Sequence, residues 1–220
     1  NVNLNILLFN NRIYGLTKGQ YSPTSHKGKK TKSSPMGSIE QPINPLTLAL
    51  SAEATFVARA MDTETAHLGE ILKAAAAHEG TSFVEIYQNC VIFNPNEWAG
   101  LDDRRTRSDH VIYLEHGKPL IFGKNNDKGV RLNGFKPEVV ELGGEFSEKD
   151  LIVHDETSQE LAYILAHMEH PTYPPPMGVI RQVRKPTYTE ELMGQVRLAQ
   201  QRKGVGDLKE LYHAADVWTV

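Results

Sequence analysis

Two adjacent carboxamides, Asn10 and Asn11, close a short apolar run (Leu4, Ile6, Leu7, Leu8, Phe9) and open the string NNRIYGLTKGQYSPTS. Carboxamide and backbone carbonyl oxygens are hard, neutral donors of the kind Mg²⁺ accepts when phosphate and water complete its shell. Arg12, Lys18, the hydroxyls of Thr17, Ser22 and Thr24 and two glycines stand within the same stretch. Ammonium and guanidinium groups, hydroxyls and exposed backbone N–H groups all favour an oxyanion. The types and spacing therefore suit a magnesium–diphosphate site, although an Asn-Asn pair alone is as often a turn. Charge points the same way. Asn1 to Ile39 holds Arg12, Lys18, Lys27, Lys29, Lys30 and Lys32 and no acid, so the chain's net −3 resolves into +6 there and −9 elsewhere. For Lys27 to Lys32 a solvated loop explains the charges as well as a ligand does.

Such residues need a scaffold. In open α/β sheets ligands bind in the loops that leave the carboxyl ends of parallel strands, which is where Asn10 and Asn11 would fall. The run before them predicts a strand buried on both faces. A strand of that kind needs neighbours, so the chain is expected to be the C-terminal piece of a longer one. Tyr14 to Gln41, rich in Gly, Ser, Thr, Pro and Lys, predicts a long irregular loop, of a length that is usually either functional or disordered. Leu46, Leu50, Ala54 and Val57 recur at helical spacing and predict a helix from Leu46 to Ala60; Thr65 to Ala77 predicts another, closed by Gly80. Thr81 to Tyr87 (TSFVEIY) predicts a strand.

Beyond Asn94 the texture changes to a mixed-charge connector containing Asp102, Asp103, Arg104, Arg105, Arg107 and Asp109. Short strands are expected near Val111–Glu115, Pro119–Phe122 and Val139–Leu142, a helix over Thr157–Met168 and a strand over Gly178–Val183. The charged, amphipathic remainder to Val220 is expected to pack against something outside the domain. The fold class is thus α/β, with an open, mostly parallel sheet and crossover helices.

Composition narrows the function classes. The chain has 220 residues, 40% hydrophobic and 23% charged, as in ordinary globular domains. Its apolar runs are too short to span a bilayer, and net charge gives no reason to expect nucleic acid. Cys90, the one cysteine, excludes an intramolecular disulfide and any metal or iron–sulfur site built from this chain's thiolates alone. It suits a reducing compartment, and a cytoplasmic location is expected. The nine histidines form no metal-ligand pattern; His167 and His170 read as surface residues. Glu53 and Glu64, placed early in predicted helices, suit dipole stabilisation better than catalysis.

Four motifs carry a family resemblance: Asn10-Asn11-Arg12-Ile13-Tyr14-Gly15-Leu16-Thr17-Lys18-Gly19-Gln20, Ser22-Pro23-Thr24, Ser34-Pro35-Met36-Gly37 and Gln88-Asn89-Cys90-Val91-Ile92-Phe93-Asn94. With these the chain resembles the beta subunit of 2-oxoacid:ferredoxin oxidoreductases of the 2-oxoglutarate type. The likeness covers residues 1–98 as the C-terminal part of a thiamine-diphosphate-binding domain, and 99–220 more loosely as that subunit's C-terminal extension. It implies oxidative decarboxylation of a 2-oxoacid, with thiamine diphosphate as electron sink, coenzyme A as acyl acceptor, ferredoxin as electron acceptor and an alpha subunit as partner.

The resemblance also implies residue roles. Asn11 would give its side-chain oxygen and Ile13 its main-chain oxygen to Mg²⁺, and Tyr14, Gly15, Leu16 and Thr17 would line the cofactor. Leu16 and Lys18 would select the substrate, Lys18 by pairing with a distal carboxylate or by contacting a diphosphate or coenzyme A. Cys90 would be the last of four ligands to a [4Fe–4S] cluster in the intact subunit; the other three are absent from this sequence. The Gly-Asp-Gly half of the metal signature is also absent and is expected upstream, so the chain as given should bind the cofactor poorly and be inactive alone. No catalytic acid is assigned. A non-oxidative thiamine decarboxylase and a non-catalytic anion-binding or assembly module are the competing expectations.

Overall fold

The computed structural model describes residues 1–215. Its main sheet has five strands. β1 (Leu4–Asn10), β3 (Thr81–Tyr87) and β2 (Phe56–Met61) lie side by side and parallel in that order; β8 (Pro176–Gln182) pairs antiparallel with β2, and β4 (Ile112–Tyr113) parallel with β8. Asn10 is level with Tyr87, and Tyr87 with Met61, so three carboxyl ends finish together. A small antiparallel sheet of β5 (Ile121–Phe122), β6 (Lys128–Asn133) and β7 (Lys136–Glu141) stands beside it. The expected class, α/β with a mostly parallel sheet, is the class observed.

Helices cover both faces. α1 (Pro45–Ser51) and α3 (Gln159–His167) bury Leu46, Leu50, Ala162 and Leu165 against Val57 and Ile180, in a core that runs on to Phe122 and Val130 of the small sheet. On the opposite face α2 (Thr65–Ala77) packs Ile71 and Ala75 on Phe56, Ala58, Val84 and Ile86. The alternation of Val57 with Phe56 and Ala58 is the period of two that sends neighbouring side chains to opposite faces. The main sheet runs across residue 98, where the resemblance divides the chain. β4 and β8 come from beyond it, yet share the sheet and the larger core with β1–β3.

Three expectations change. Among the described residues β1 lies at the edge of the sheet and is not buried on both faces, with Leu4, Ile6, Leu7 and Phe9 between 40% and 54% exposed. The helix expected from Leu46 to Ala60 stops at Ser51, Glu53 takes a left-handed conformation (φ 62°), and Phe56–Met61 is a strand buried at every position. A strand buried on both faces shows no polar–apolar alternation, and its Val57 fell at helical spacing from Leu46, Leu50 and Ala54 by coincidence. Glu53 accordingly lies in a turn, paired with Lys185 at 2.7 Å, not in a first helical turn. Third, Gly80 does not cap α2, whose cap is the extended His78. It serves a close approach instead: at φ 143° a Cβ would meet Thr55 Oγ1 at 2.5 Å.

α2, β3, α3 and β8 fall close to their predicted ranges, and β6 is additional. The tail forms α4 (Tyr188–Lys203) and α5 (Leu208–Tyr212), neither of which buries a residue. Its last stretch, to Val220, lies outside the described residues.

Candidate functional site

The Asn10–Gln20 string leaves the carboxyl end of β1 as predicted, and its two asparagines differ in role. Asn10 is buried and bonded through both its side-chain oxygen and its nitrogen. Its Nδ2 donates to Glu85 Oε1 (2.7 Å), while its Oδ1 accepts from Thr24 Oγ1 (2.8 Å) and the Arg12 backbone N–H (3.3 Å). Asn11 is half-buried, and among the described residues its Oδ1 accepts only the Ile13 backbone N–H (3.1 Å), leaving a lone pair free.

The backbone carbonyls give a sharper distinction. Asn10 O accepts from Gln88 N–H and Trp98 Nε1, Asn11 O from Asn94 Nδ2, Arg12 O from Ser25 Oγ, and Tyr14 O from Gly19 N–H. Among the described residues, of the five carbonyls of residues 10–14 only that of Ile13 accepts no hydrogen bond. Side chains from residues 24–25 and 94–98 thus fix a loop that presents two unfilled oxygens, Asn11 Oδ1 and Ile13 O. Asn10, Asn11, Ile13, Tyr14 and Thr24 line an open, largely apolar cleft of about 470 Å³.

Between the two oxygens lies Arg12, buried and left-handed at φ 51°. Its guanidinium lies 4.4 Å from the centroid of Trp98; Trp98 stacks on Tyr87 at 3.5 Å and 10°; Arg59 lies 5.2 Å from the centroid of Tyr87. Two cations thus sandwich two aromatic rings across the carboxyl ends of β1, β2 and β3. Carboxylates neutralise both ends, Glu97 (3.4 Å) and Glu169 (3.3 Å) at Arg12 and Glu85 (2.9 Å) at Arg59. Burial by itself would raise the Glu97 pKa. Its contacts with His26, Asn94, Arg12 and Lys29 more than reverse that and hold it at about 2. Burial pushes the Tyr87 phenol well above its ordinary value, so the ring stays neutral in the stack.

The remaining predicted residues form a neighbouring turn. Hydrogen bonds from Tyr14 N to Gln20 O, Gly19 N to Tyr14 O and Lys18 N to Gly15 O close Gly15–Gly19 into a tight turn. Leu16 is 97% exposed at its tip, with Thr17 and Lys18 also exposed. Lys18 opens onto a separate depression of about 510 Å³ shared with Lys30, Lys32, Ile92 and Phe93. Cys90 lies beside this turn, its Sγ 3.8 Å from where a Cβ on Gly15 would be. The lysine loop is solvated at Lys27, Lys30 and Lys32; Lys29 alone turns in, to Asn94 (2.6 Å) and Glu97 (3.4 Å).

Sequence reasoning did not assign Arg59, Glu85, Asn94, Glu97 and Trp98 to the site. One signal was available: Arg59 in FVARAM and Glu85 in TSFVEIY are charges inside otherwise apolar strands, and buried charges demand partners.

The donor set can be tested against a metal. Among the described residues no group of three or more His, Cys, Asp or Glu is placed to hold an ion. Neutral oxygens from Asn11 and Ile13 fit Mg²⁺ only as part of a shell completed by phosphate, water and a further protein oxygen.

Residues 1–86 match the family described as "Thiamine pyrophosphate enzyme, C-terminal TPP binding domain". The 2-oxoglutarate oxidoreductase subunit KorB of Mycobacterium tuberculosis is 44% identical over all of this chain and 60% of its own length. Along its length the chain is similar to subunits of 2-oxoacid:ferredoxin oxidoreductases. The beta subunit of 2-oxoacid:ferredoxin oxidoreductase 1 from Aeropyrum pernix is 46% identical over 43% of this chain and 30% of its own. In structure the chain is similar to a 2-oxoglutarate:ferredoxin oxidoreductase from Magnetococcus marinus determined with 2-oxoglutarate, coenzyme A and succinyl-CoA bound. The TM-score is 0.68 at 27% identity, over 99% of this chain and 60% of that one. The chain therefore spans about 60% of the length of the M. tuberculosis and M. marinus proteins.

Proposed function

We propose that this chain forms the diphosphate-holding side of a thiamine-diphosphate site in an enzyme that oxidatively decarboxylates a 2-oxoacid, with 2-oxoglutarate the expected substrate. The products are acyl-CoA, CO₂ and reduced ferredoxin, and an alpha subunit completes the enzyme. The observation that carries this reading is the pair of unfilled oxygens, Asn11 Oδ1 and Ile13 O, at the carboxyl end of a parallel strand in a TPP-binding-type domain. Thiamine diphosphate, when bound, supplies the electron sink for loss of CO₂ from the 2-oxoacid.

The chain's own residues bind and orient. Asn11 and Ile13 would hold Mg²⁺ through neutral oxygens, in a shell that phosphate, water and a further protein oxygen complete. Tyr14 to Thr17 border the cofactor. Lys18, exposed at the turn with Leu16 beside it, suits the distal carboxylate of a dicarboxylic substrate. Cys90, next to this turn, suits the thiolate ligand of a [4Fe–4S] cluster whose other three cysteines lie outside this sequence. Reduced thiolates and soluble electron carriers fit a cytoplasmic enzyme, and among the described residues no helix is long and apolar enough to cross a membrane.

The test uses the complete chain assembled with its partner subunit. Dye reduction that depends on 2-oxoglutarate, coenzyme A and thiamine diphosphate supports the proposal. CO₂ release without dye reduction would favour a non-oxidative decarboxylase, and inertness toward every 2-oxoacid would overturn the reading.

A further inference from the structure

Arg12 carries features that a residue kept only for stability would shed. It holds a left-handed conformation that non-glycine residues avoid, its side chain is 93% buried, and its Nε lies buried without a hydrogen-bond partner among the described residues. Strain and an unsatisfied donor persist where the surroundings enforce them, and both coincide here with the residue between the two unfilled oxygens. The surroundings are specific. Trp98 lies under the guanidinium plane, Glu97 and Glu169 bind its two ends, His26 closes on its Nη1, and Ser25 holds its carbonyl. Trp98 in turn donates through Nε1 to Asn10 O (3.1 Å) and Gln88 O (3.2 Å), tying the stack to the ends of β1 and β3.

We propose that Arg12 is a positioning residue: clamped between Trp98 and the Glu97–Glu169 pair, it locks residues 11–13 in the bend that turns Asn11 Oδ1 and Ile13 O toward one ion. The proposal rests on the reading of those oxygens as ion ligands and adds what holds them. Arg12 touches no reacting atom. Its planar, delocalised group is what the indole face selects, so Lys cannot replace it fully. Left-handed backbone alone is not sufficient, since glycine would adopt it freely but leave the loop unclamped.

The experiment compares wild type, Arg12→Gly, Arg12→Lys and Trp98→Leu in the complete chain with its partner subunit. Affinity for thiamine diphosphate is titrated at fixed Mg²⁺, and amide hydrogen exchange is followed without cofactor. Arg12→Gly and Trp98→Leu are expected to lose about 10–100-fold in cofactor affinity, the usual cost of removing a partner that orients a metal ligand. Arg12→Lys should fall between them and wild type, with the turnover number at saturating cofactor kept. Without cofactor, the amides of Ile13 and Tyr14 should exchange faster in Arg12→Gly while those of β3 stay protected. Unchanged affinity with unchanged exchange overturns the proposal, as does lost turnover at unchanged affinity, which would put Arg12 on the reacting groups. Should Arg12→Gly fail to fold, Arg12→Lys and Trp98→Leu decide by the same two measurements. If wild type binds no thiamine diphosphate, the functional reading fails, while exchange at residues 13–14 still tests the clamp.

Discussion

Asn10 and Asn11 are chemically identical neighbours with opposite duties, because the strand's pleat sends one inward and the end of the strand leaves the other at the cleft. Asn10→Ala would strip the Glu85 carboxylate, Thr24 and Arg12 N–H of a buried partner. Unfolding in urea should show a loss of about 2–3 kcal/mol; an unchanged midpoint would mean that these bonds are not formed. Glu97 makes a prediction about acid. Its folded pKa of about 2 lies below its ordinary 4.5, so its contribution to stability is complete above 4.5 and is lost as pH falls toward 2. Glu97→Gln should therefore flatten the fall in unfolding midpoint between about pH 6 and about pH 3. An equally steep fall in the variant would assign the acid sensitivity elsewhere. The asparagine string was legible in the sequence because its chemistry is local. The stack of Arg12, Trp98, Tyr87 and Arg59 was not, since its members come from four segments that meet only in the folded chain.

The elements explain which predictions could succeed. α2 and α3 each present an apolar stripe to one face of the sheet, and that period is visible in a single sequence. β2 is buried on both sides and carries no polar–apolar alternation, so its Val57 falls in with the helical spacing of Leu46, Leu50 and Ala54. β1 has the apolar content of a central strand but, among the described residues, the position of an edge, and composition cannot report which side has a neighbour.

Within β2 the buried Arg59 links elements. It pairs with Glu85 on β3 and donates to Ala166 O (3.5 Å) and Met168 O (3.4 Å) at the end of α3. Arg59→Met should cost about 3–5 kcal/mol by leaving Glu85 buried and uncompensated. Adding Glu85→Gln should recover part of that loss, and a double variant no more stable than the single would refute the pairing argument. Histidine burial sets a second pH response. His154 is 1% exposed, with Nε2 held by Val179 O at 2.8 Å, and burial lowers its pKa below 6.5. A depressed pKa leaves stability intact above 6.5 and removes it as pH falls below that value. NMR should show the His154 ring titrating below 6.5; titration at or above 6.5 would contradict its burial.

At the scale of the whole molecule, charge and apolar exposure are unevenly placed. The cationic segment 1–39 lies at the carboxyl edge of the sheet and its loops. Leu16, Met36, Ile39, Val91 and Ile92 are 75–97% exposed, Ile92 in the depression shared with Lys18, Lys30 and Lys32. Together with the open faces of β1 and the unburied α4, this surface agrees with a chain that works in a larger assembly. The central proposal remains local: Asn11 Oδ1 and Ile13 O would hold a divalent ion on a diphosphate. It is tested most directly by calorimetric titration of thiamine diphosphate, with and without Mg²⁺, into the complete protein carrying either Asn11 or Asn11→Ala. The account predicts Mg²⁺-dependent binding for Asn11 and, because that side chain makes only one local hydrogen bond, a folded Asn11→Ala protein that binds at least about 100-fold more weakly. Equal binding by the two proteins, or binding indifferent to Mg²⁺, would contradict it.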